Sequence, residues 1–275
     1  MRNSTNVREA LLSVKEVVER FGDSRAVHSY YLEFGRRFEA LKLVEEYCRK
    51  GSTVLDLGAQ PFIVSCALRK TGYNVIAFDV DPEPYMRIAK ACNVDVVKGD
   101  LERDELGINN ADCAVFTEVL EHLHYYYAPL VLGKINKALK PGGALILTTP
   151  NIASLFRRLR LLLGIQPTYH YHVREYTMRE VVSLLREAGF EITKAYYSTV
   201  NDLTLIDAEP EEYLGISSFK NSVKNSLKED YKTEHLKALS IPNSKAEARP
   251  KVINSGYRDK GSKTSYADTR EMGMI

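Results

Sequence analysis

Residues 53–58 read Thr-Val-Leu-Asp-Leu-Gly, a run long enough for a buried strand and too short for a core helix. A strand apolar on both faces has to be covered on both, the condition met by a parallel sheet between helical layers. The pattern then repeats. Strand runs recur at 74–79, 94–98, 111–117 and 144–149, with helical spacing at 62–70, 84–91 and 128–139. This alternation predicts right-handed crossovers and an α/β fold, a doubly wound, mostly parallel seven-stranded sheet. Ligands of such a sheet gather beyond the C-terminal ends of its strands.

Apolar residues at helical spacing predict two cap helices before the sheet, over 7–21 and 27–50, with Gly51 as the stop. An interrupted segment at 151–176 reads as a cap insertion. Thr177 and Glu180 then form a capping-box pair, Gly189 stops the helix, 190–197 reads as a strand, and a last strand is expected within 200–206. Residues 218–275 carry 12 Lys and Arg against 7 Asp and Glu, or +5, while the first 217 residues carry 26 against 29, or −3. With so few apolar groups, ordering this basic tail costs more entropy than burial offsets, so it is expected to be mostly disordered, with one candidate helix at 223–239. The units are therefore 1–50, 51–217 and 218–275.

Cys48, Cys66, Cys92 and Cys113 are widely spaced without a C-x-x-C, which predicts free core thiols, a reducing compartment and a cytoplasmic protein. No run approaches the length of a membrane span. Ile152, Leu155, Phe156 and Leu159 alternate with Arg157, Arg158 and Arg160, a pattern that suits a cap helix or peripheral contact with an anionic membrane.

Three acidic residues stand at the ends of three consecutive strands: Asp56, Asp79 and Asp100. A glycine in the turn after the first strand lets backbone N–H groups approach a ligand, and an acid after the second suits ribose hydroxyls. The G-x-G-x-x-G of a nicotinamide dehydrogenase is absent. Together with Phe78 to Pro82, Gly99 to Leu101, Thr117 to Leu123 and Leu139 to Asn151, the chain resembles class I S-adenosylmethionine-dependent methyltransferases, which have a Rossmann-like fold. The resemblance implies that 51–217 is a catalytic domain binding S-adenosylmethionine. It places Asp56, Gly58 and Ala59 by the methionine moiety, Asp79 and Val80 by the ribose, Asp100 and Leu101 by the adenine, and Glu118 beside the cofactor. The family's further loop glycines are replaced by Gln60 and Phe62, whose side chains are expected to narrow the cofactor pocket.

On the acceptor side, Glu118, Glu121 and His122 form E-x-x-E-H after the fourth strand, and His172 comes later. Positions i, i+3 and i+4 converge on one side of a helical turn. This set is similar to metal-assisted O-methyltransferases of ubiquinone biosynthesis and to small-RNA 2′-O-methyltransferases. By that likeness Glu118, Glu121, His122 and His172 are candidate ligands of Mg²⁺ or Mn²⁺, with His122 and Glu118 as the catalytic residues. Without a metal, His122 is a candidate general base. The expected acceptor is a small molecule, a glycan or a lipid-linked precursor. RNA is the rival partner, and a non-catalytic binding module is the rival from another class.

Overall fold

A computed structural model describes residues 6–200, 233–241 and 251–252. Its strands are β1 (Thr53–Leu57), β2 (Asn74–Asp79), β3 (Asp95–Lys98), β4 (Ala111–Thr117), β5 (Leu139–Pro150), β6 (Glu191–Val200) and β7 (Thr233–Ile241). A two-residue β8 (Lys251–Val252) pairs with the end of β7. The sheet order is β3-β2-β1-β4-β5-β7-β6. The five strands from β3 to β5 form a parallel body, and β7 lies antiparallel to both β5 and β6. The doubly wound sheet expected from the alternation is thus present.

Side-chain alternation along the strands divides the core. Val54, Val75, Ala77, Cys113, Val115 and Ile146 belong to one buried layer, and Leu55, Leu57, Phe78, Phe116, Leu145 and Leu147 to the other. The first layer is covered by α1 (Val7–Phe21), α3 (Phe34–Tyr47), α4 (Ile63–Lys70) and α5 (Met86–Ala91), the second by α6 (Ala128–Ala138) and α8 (Met178–Glu187). Four buried residues of α1, Val7, Leu11, Val14 and Val18, each contribute about 1.5–3 kcal/mol. Their sum is comparable with the net stability of a whole domain, about 5–15 kcal/mol. The N-terminal helices are therefore part of the core as well as a cap.

The structure differs from the sequence reading in several places. Three helices precede the sheet, not two: α2 (Ser24–Leu32), capped by Asp23, ends where Glu33 leaves helical geometry, and α3 begins at Phe34. Apolar spacing runs across that single-residue break, so periodicity cannot see it. A 3-10 turn over Glu83–Tyr85 replaces the start of the helix expected at 84–91. The capping box of Thr177 and Glu180 is formed as expected. Residues 233–239 of the expected helix at 223–239 belong to β7; the remainder of that helix, and residues 201–206 of the expected last strand, lie outside the described residues.

The cysteines are a further correction. Cys48 is bonded to Cys113 and Cys66 to Cys92, and no free thiol is present. The partners lie 65 and 26 residues apart in sequence, but the end of α3 rests beside β4 and α4 beside the end of α5, with Cα separations of 6.3 and 5.2 Å. Spacing along the chain carries no trace of that proximity, so the cysteine pattern does not place the chain in a reducing compartment. Among the described residues no helix is long and apolar enough to cross a membrane.

Candidate active site

A cavity of about 630 Å³ opens beyond the C-terminal ends of β1, β4 and β5. Asp56, Gly58 and Ala59 line it from the first strand and its turn; Thr117, Glu118, Glu121, His122 and Thr148 line it from β4, β5 and the 3-10 turn Leu120–His122. Helices α2 and α3 add His28, Arg36 and Arg37. The cap insertion adds Arg157, Tyr169 and His172.

The turn after β1 is shaped by contacts that require glycine at one position and tolerate a large residue at another. Gly58 has φ +69°, and a Cβ there would stand 2.5 Å from Val119 Cγ2. Its N–H donates to the Phe78 carbonyl at 2.8 Å. Phe62 has φ +66°, a left-handed conformation that costs a side-chain-bearing residue about 1–2 kcal/mol. Its ring is fully buried in the core layer under the turn, which offsets that cost. Phe62 therefore does not narrow the cavity, contrary to the expectation. Gln60 does line it, and its side-chain amide donates to the Asp81 carbonyl.

Asp79 ends β2 and holds this turn: Oδ2 accepts from the Gln60 N–H at 2.9 Å and Oδ1 from the Asp81 N–H at 3.0 Å. Neither Asp79, Val80, Asp100 nor Leu101 lines the cavity. Val80 is 61% exposed and Leu101 is packed into the core. Asp100 Oδ1 accepts from the Glu102 N–H at 2.9 Å. The expected cofactor residues thus separate into a group in the cavity, Asp56, Gly58, Ala59 and Glu118, and a group along the neighbouring strand ends.

Burial pushes the Asp56 carboxyl up to about 7; the charge of Asp79 adds to the rise, while the Ser65 hydroxyl, which donates to Asp56 Oδ2, and Arg37 oppose it. A carboxyl that is a weaker acid folded than unfolded loses its stabilising contribution as pH climbs from about 4 through about 7. Urea denaturation is accordingly expected to show wild-type stability falling by about 3 kcal/mol more than that of Asp56→Asn between pH 5 and pH 8. Equal slopes in the two proteins would remove this assignment.

Glu118 has φ +56°, a strained conformation that recurs at functional sites, and its carboxylate is held from two sides. Arg36 Nη1 donates to Oε2 at 2.6 Å and the Thr148 hydroxyl to Oε1 at 2.7 Å. Glu121 is fully buried: Oε2 accepts from the Thr149 hydroxyl at 2.9 Å, and Oε1 has no hydrogen-bond partner among the described residues. Burial, then the charge of Glu118, raise its carboxyl well above the usual range. His122 Nδ1 lies 3.2 Å from the Tyr171 carbonyl, which can only accept, so the proton sits on Nδ1 and the lone pair on Nε2. Burial and the nearby His172 lower its pKa, favouring the neutral ring.

Glu121, His122 and His172 each offer a donor atom within 4.8 Å of the others. Glu118 stands apart from that cluster, in its pairing with Arg36. The sequence reading did not find Arg36, Arg37 or Glu175. Two adjacent arginines at 36 and 37 between Phe34 and Phe38 were the available signal, since a cation on an otherwise apolar stretch needs a buried acid. Arg157, expected on an outward side, is buried against Glu175 at 2.7 Å, while Leu161 and Leu162 of α7 (Leu155–Leu162) are exposed.

A methyltransferase-domain family profile matches residues 29–195. Carboxy-S-adenosyl-L-methionine synthase of Enterobacter sp. is 32% identical over 117 residues, covering 38% of this chain and 47% of that protein. The chain spans about half the length of the curated relatives it matches. An S-adenosylmethionine-dependent methyltransferase from Archaeoglobus fulgidus has the same fold, with a TM-score of 0.58 at 15% identity over 80% of this chain and 100% of that one. The 1,6-didemethyltoxoflavin-N1-methyltransferase of Burkholderia thailandensis, solved with S-adenosylhomocysteine, gives 0.54 at 17% identity over 89% and 93%.

Proposed function

The chain belongs to the S-adenosylmethionine-dependent methyltransferases, and from that membership we propose that it methylates a hydroxyl oxygen of a small molecule or glycan. The observation that carries the oxygen is His122, a ring whose lowered pKa favours the neutral form and whose Nδ1 is taken up by the Tyr171 carbonyl, which leaves the lone pair on Nε2 beside the cavity. A hydroxyl is a poor nucleophile until it loses its proton, whereas amine acceptors need less help. RNA is disfavoured because Arg36, Arg37 and Arg157, the arginines of the cavity wall, are committed to Glu118, Glu33 and Glu175 rather than exposed for phosphates.

S-adenosylmethionine supplies an electrophilic methyl group, and its departing thioether needs no proton. Gly58, kept free of a side chain by its φ of +69° and the approach of Val119, presents only backbone at the cavity wall, where such a cofactor would pass. Asp56 stands where a cationic ammonium would meet a carboxylate. Each Asp79 oxygen accepts one N–H and keeps a second acceptor site for a ribose hydroxyl. The adenine end would extend past the cavity towards Val80 and Asp100 at the neighbouring strand ends, with Leu101 beneath them in the core. His122 Nε2 takes the acceptor proton, Glu118 is held by Arg36 and Thr148 at the wall, and the cap residue Tyr169 helps exclude water.

A second reading is favoured by one observation, the unpartnered Oε1 of buried Glu121. Glu121, His122 and His172 would hold a divalent cation, Mn²⁺ more readily than Mg²⁺ because two donors are imidazoles, and the ion would supply a lower acceptor-hydroxyl pKa. Isothermal titration tests the cofactor half of the proposal: S-adenosylmethionine binds the wild type, and Asp79→Ala binds at least tenfold more weakly. Failure of both proteins to bind sinks the reading.

A further inference from the structure

We propose that Glu175 and Arg157 are positioning residues that set the tautomer of His172, so that the cap insertion arms the acceptor side of the cavity. The proposal rests on the acceptor-side reading above only for what the ring then does; the tautomer itself is a property of the chain.

Glu175 is fully buried and its two carboxylate oxygens face three donors, the most distant being the Tyr169 N–H, 3.4 Å from Oε1. Oε1 lies 2.7 Å from His172 Nδ1, and Oε2 makes an ion pair with Arg157 Nη1 at 2.7 Å that lacks hydrogen-bond geometry. Arg157 also donates to the Pro167 carbonyl at 2.5 Å, so its head is fixed from both sides by the insertion's own chain. A carboxylate only accepts and a guanidinium only donates. In the neutral ring Nδ1 must therefore carry the proton, and the lone pair is left on Nε2. His172 lines the cavity and meets His122 edge-on with ring centroids 4.8 Å apart. A partner on the far ring nitrogen is how proteins fix the orientation of a working imidazole, whether that imidazole ligates a metal or exchanges a proton.

Donor counting makes the arrangement testable. In Glu175→Gln one acceptor oxygen faces the two close donors, Arg157 and His172, with the Tyr169 N–H at the edge of hydrogen-bond range on the His172 side. Arg157 cannot turn into an acceptor, so the amide oxygen goes to Arg157 and the amide NH₂ faces His172 Nδ1. That nitrogen must then accept, and the ring proton moves to Nε2, blocking the lone pair towards the cavity. Removing the competing donor as well, in Glu175→Gln with Arg157→Met, frees the amide oxygen for Nδ1–H and restores the original tautomer.

The experiment is two-bond proton–nitrogen correlation on the full chain labelled with ¹⁵N-histidine, as wild type, E175Q and the E175Q/R157M pair. The expected result is Nδ1–H at His172 in the wild type, Nε2–H in E175Q and Nδ1–H again in the pair, with turnover at least tenfold lower in E175Q and recovered in part in the pair. A wild-type ring protonated on Nε2 overturns the proposal, as does an E175Q ring still protonated on Nδ1, or a pair that fails to restore it. If E175Q does not fold, the wild type and the pair decide. Absence of methyl transfer by a wild type with the expected tautomer defeats the acceptor-side reading and leaves the positioning intact.

Discussion

His122→Ala is expected to lower kcat for the methylated acceptor by about 10²–10⁴-fold, the usual contribution of a positioned base, while S-adenosylmethionine affinity stays within twofold of wild type. The proposal assigns the ring to the acceptor proton and not to cofactor binding, so the loss is expected to fall on kcat. Burial and His172 lower the His122 pKa, which places the acid limb of the wild-type kcat/KM profile below about pH 6.5. A variant that keeps wild-type kcat, or a profile whose acid limb lies above that pH, excludes His122 as the base. Chelation with EDTA divides the two forms of the proposal. Turnover unchanged by the chelator leaves the imidazole alone; turnover lost and regained with Mn²⁺ assigns the cluster of Glu121, His122 and His172 to a cation.

Reducing the two disulfides should lower the melting temperature by at least 10 °C. Closing loops of 65 and 26 residues removes unfolded-state entropy worth about 4 kcal/mol and about 3–4 kcal/mol on the chain-entropy account. Each kcal/mol moves the midpoint of a domain this size by about 2–4 °C, and native bonds deliver less than the formula when the reduced chain keeps structure. Calorimetry with and without reductant, with thiol titration to establish reduction, is the measurement. An unchanged midpoint in fully reduced protein excludes the disulfides as stabilisers. The Cys48–Cys113 bond also ties the end of α3, the helix that carries Arg36, to β4, the strand that leads into Glu118. Reduction is therefore expected to weaken activity before the fold is lost.

The parts of the fold visible in the sequence are those whose cause is local. Continuous apolar runs such as 53–58 mark strands because burial on both faces leaves no polar position, and Thr177 with Glu180 marks a helix start because the cap is made within four residues. β7 was missed because Thr233–Ile241 is half polar and strand identity there comes from pairing with β5 and β6, not from its own pattern. The direction of Phe62 was missed because a left-handed backbone turns its ring into the core, which residue type alone does not reveal. On the site, Glu118, Glu121 and His122 share a short turn and were legible together. Glu175 was not: its role depends on Arg157, eighteen residues earlier, and no local pattern reveals that pairing.

Chain order and spatial order part company at β7, which is made after β6 yet lies between it and β5. During translation β6 therefore emerges with no sheet partner, and it stays an open edge until residue 241 has left the ribosome. At about 5–20 residues per second the interval from Val200 to Ile241 lasts about 2–8 s, long compared with the microseconds in which hairpins form. The parallel body is ready to collapse during that wait while one of its neighbours cannot dock. A nascent chain of this topology is thus most exposed to wrong strand pairing between the synthesis of β6 and that of β7, and slowing translation after β6 lengthens that window rather than relieving it.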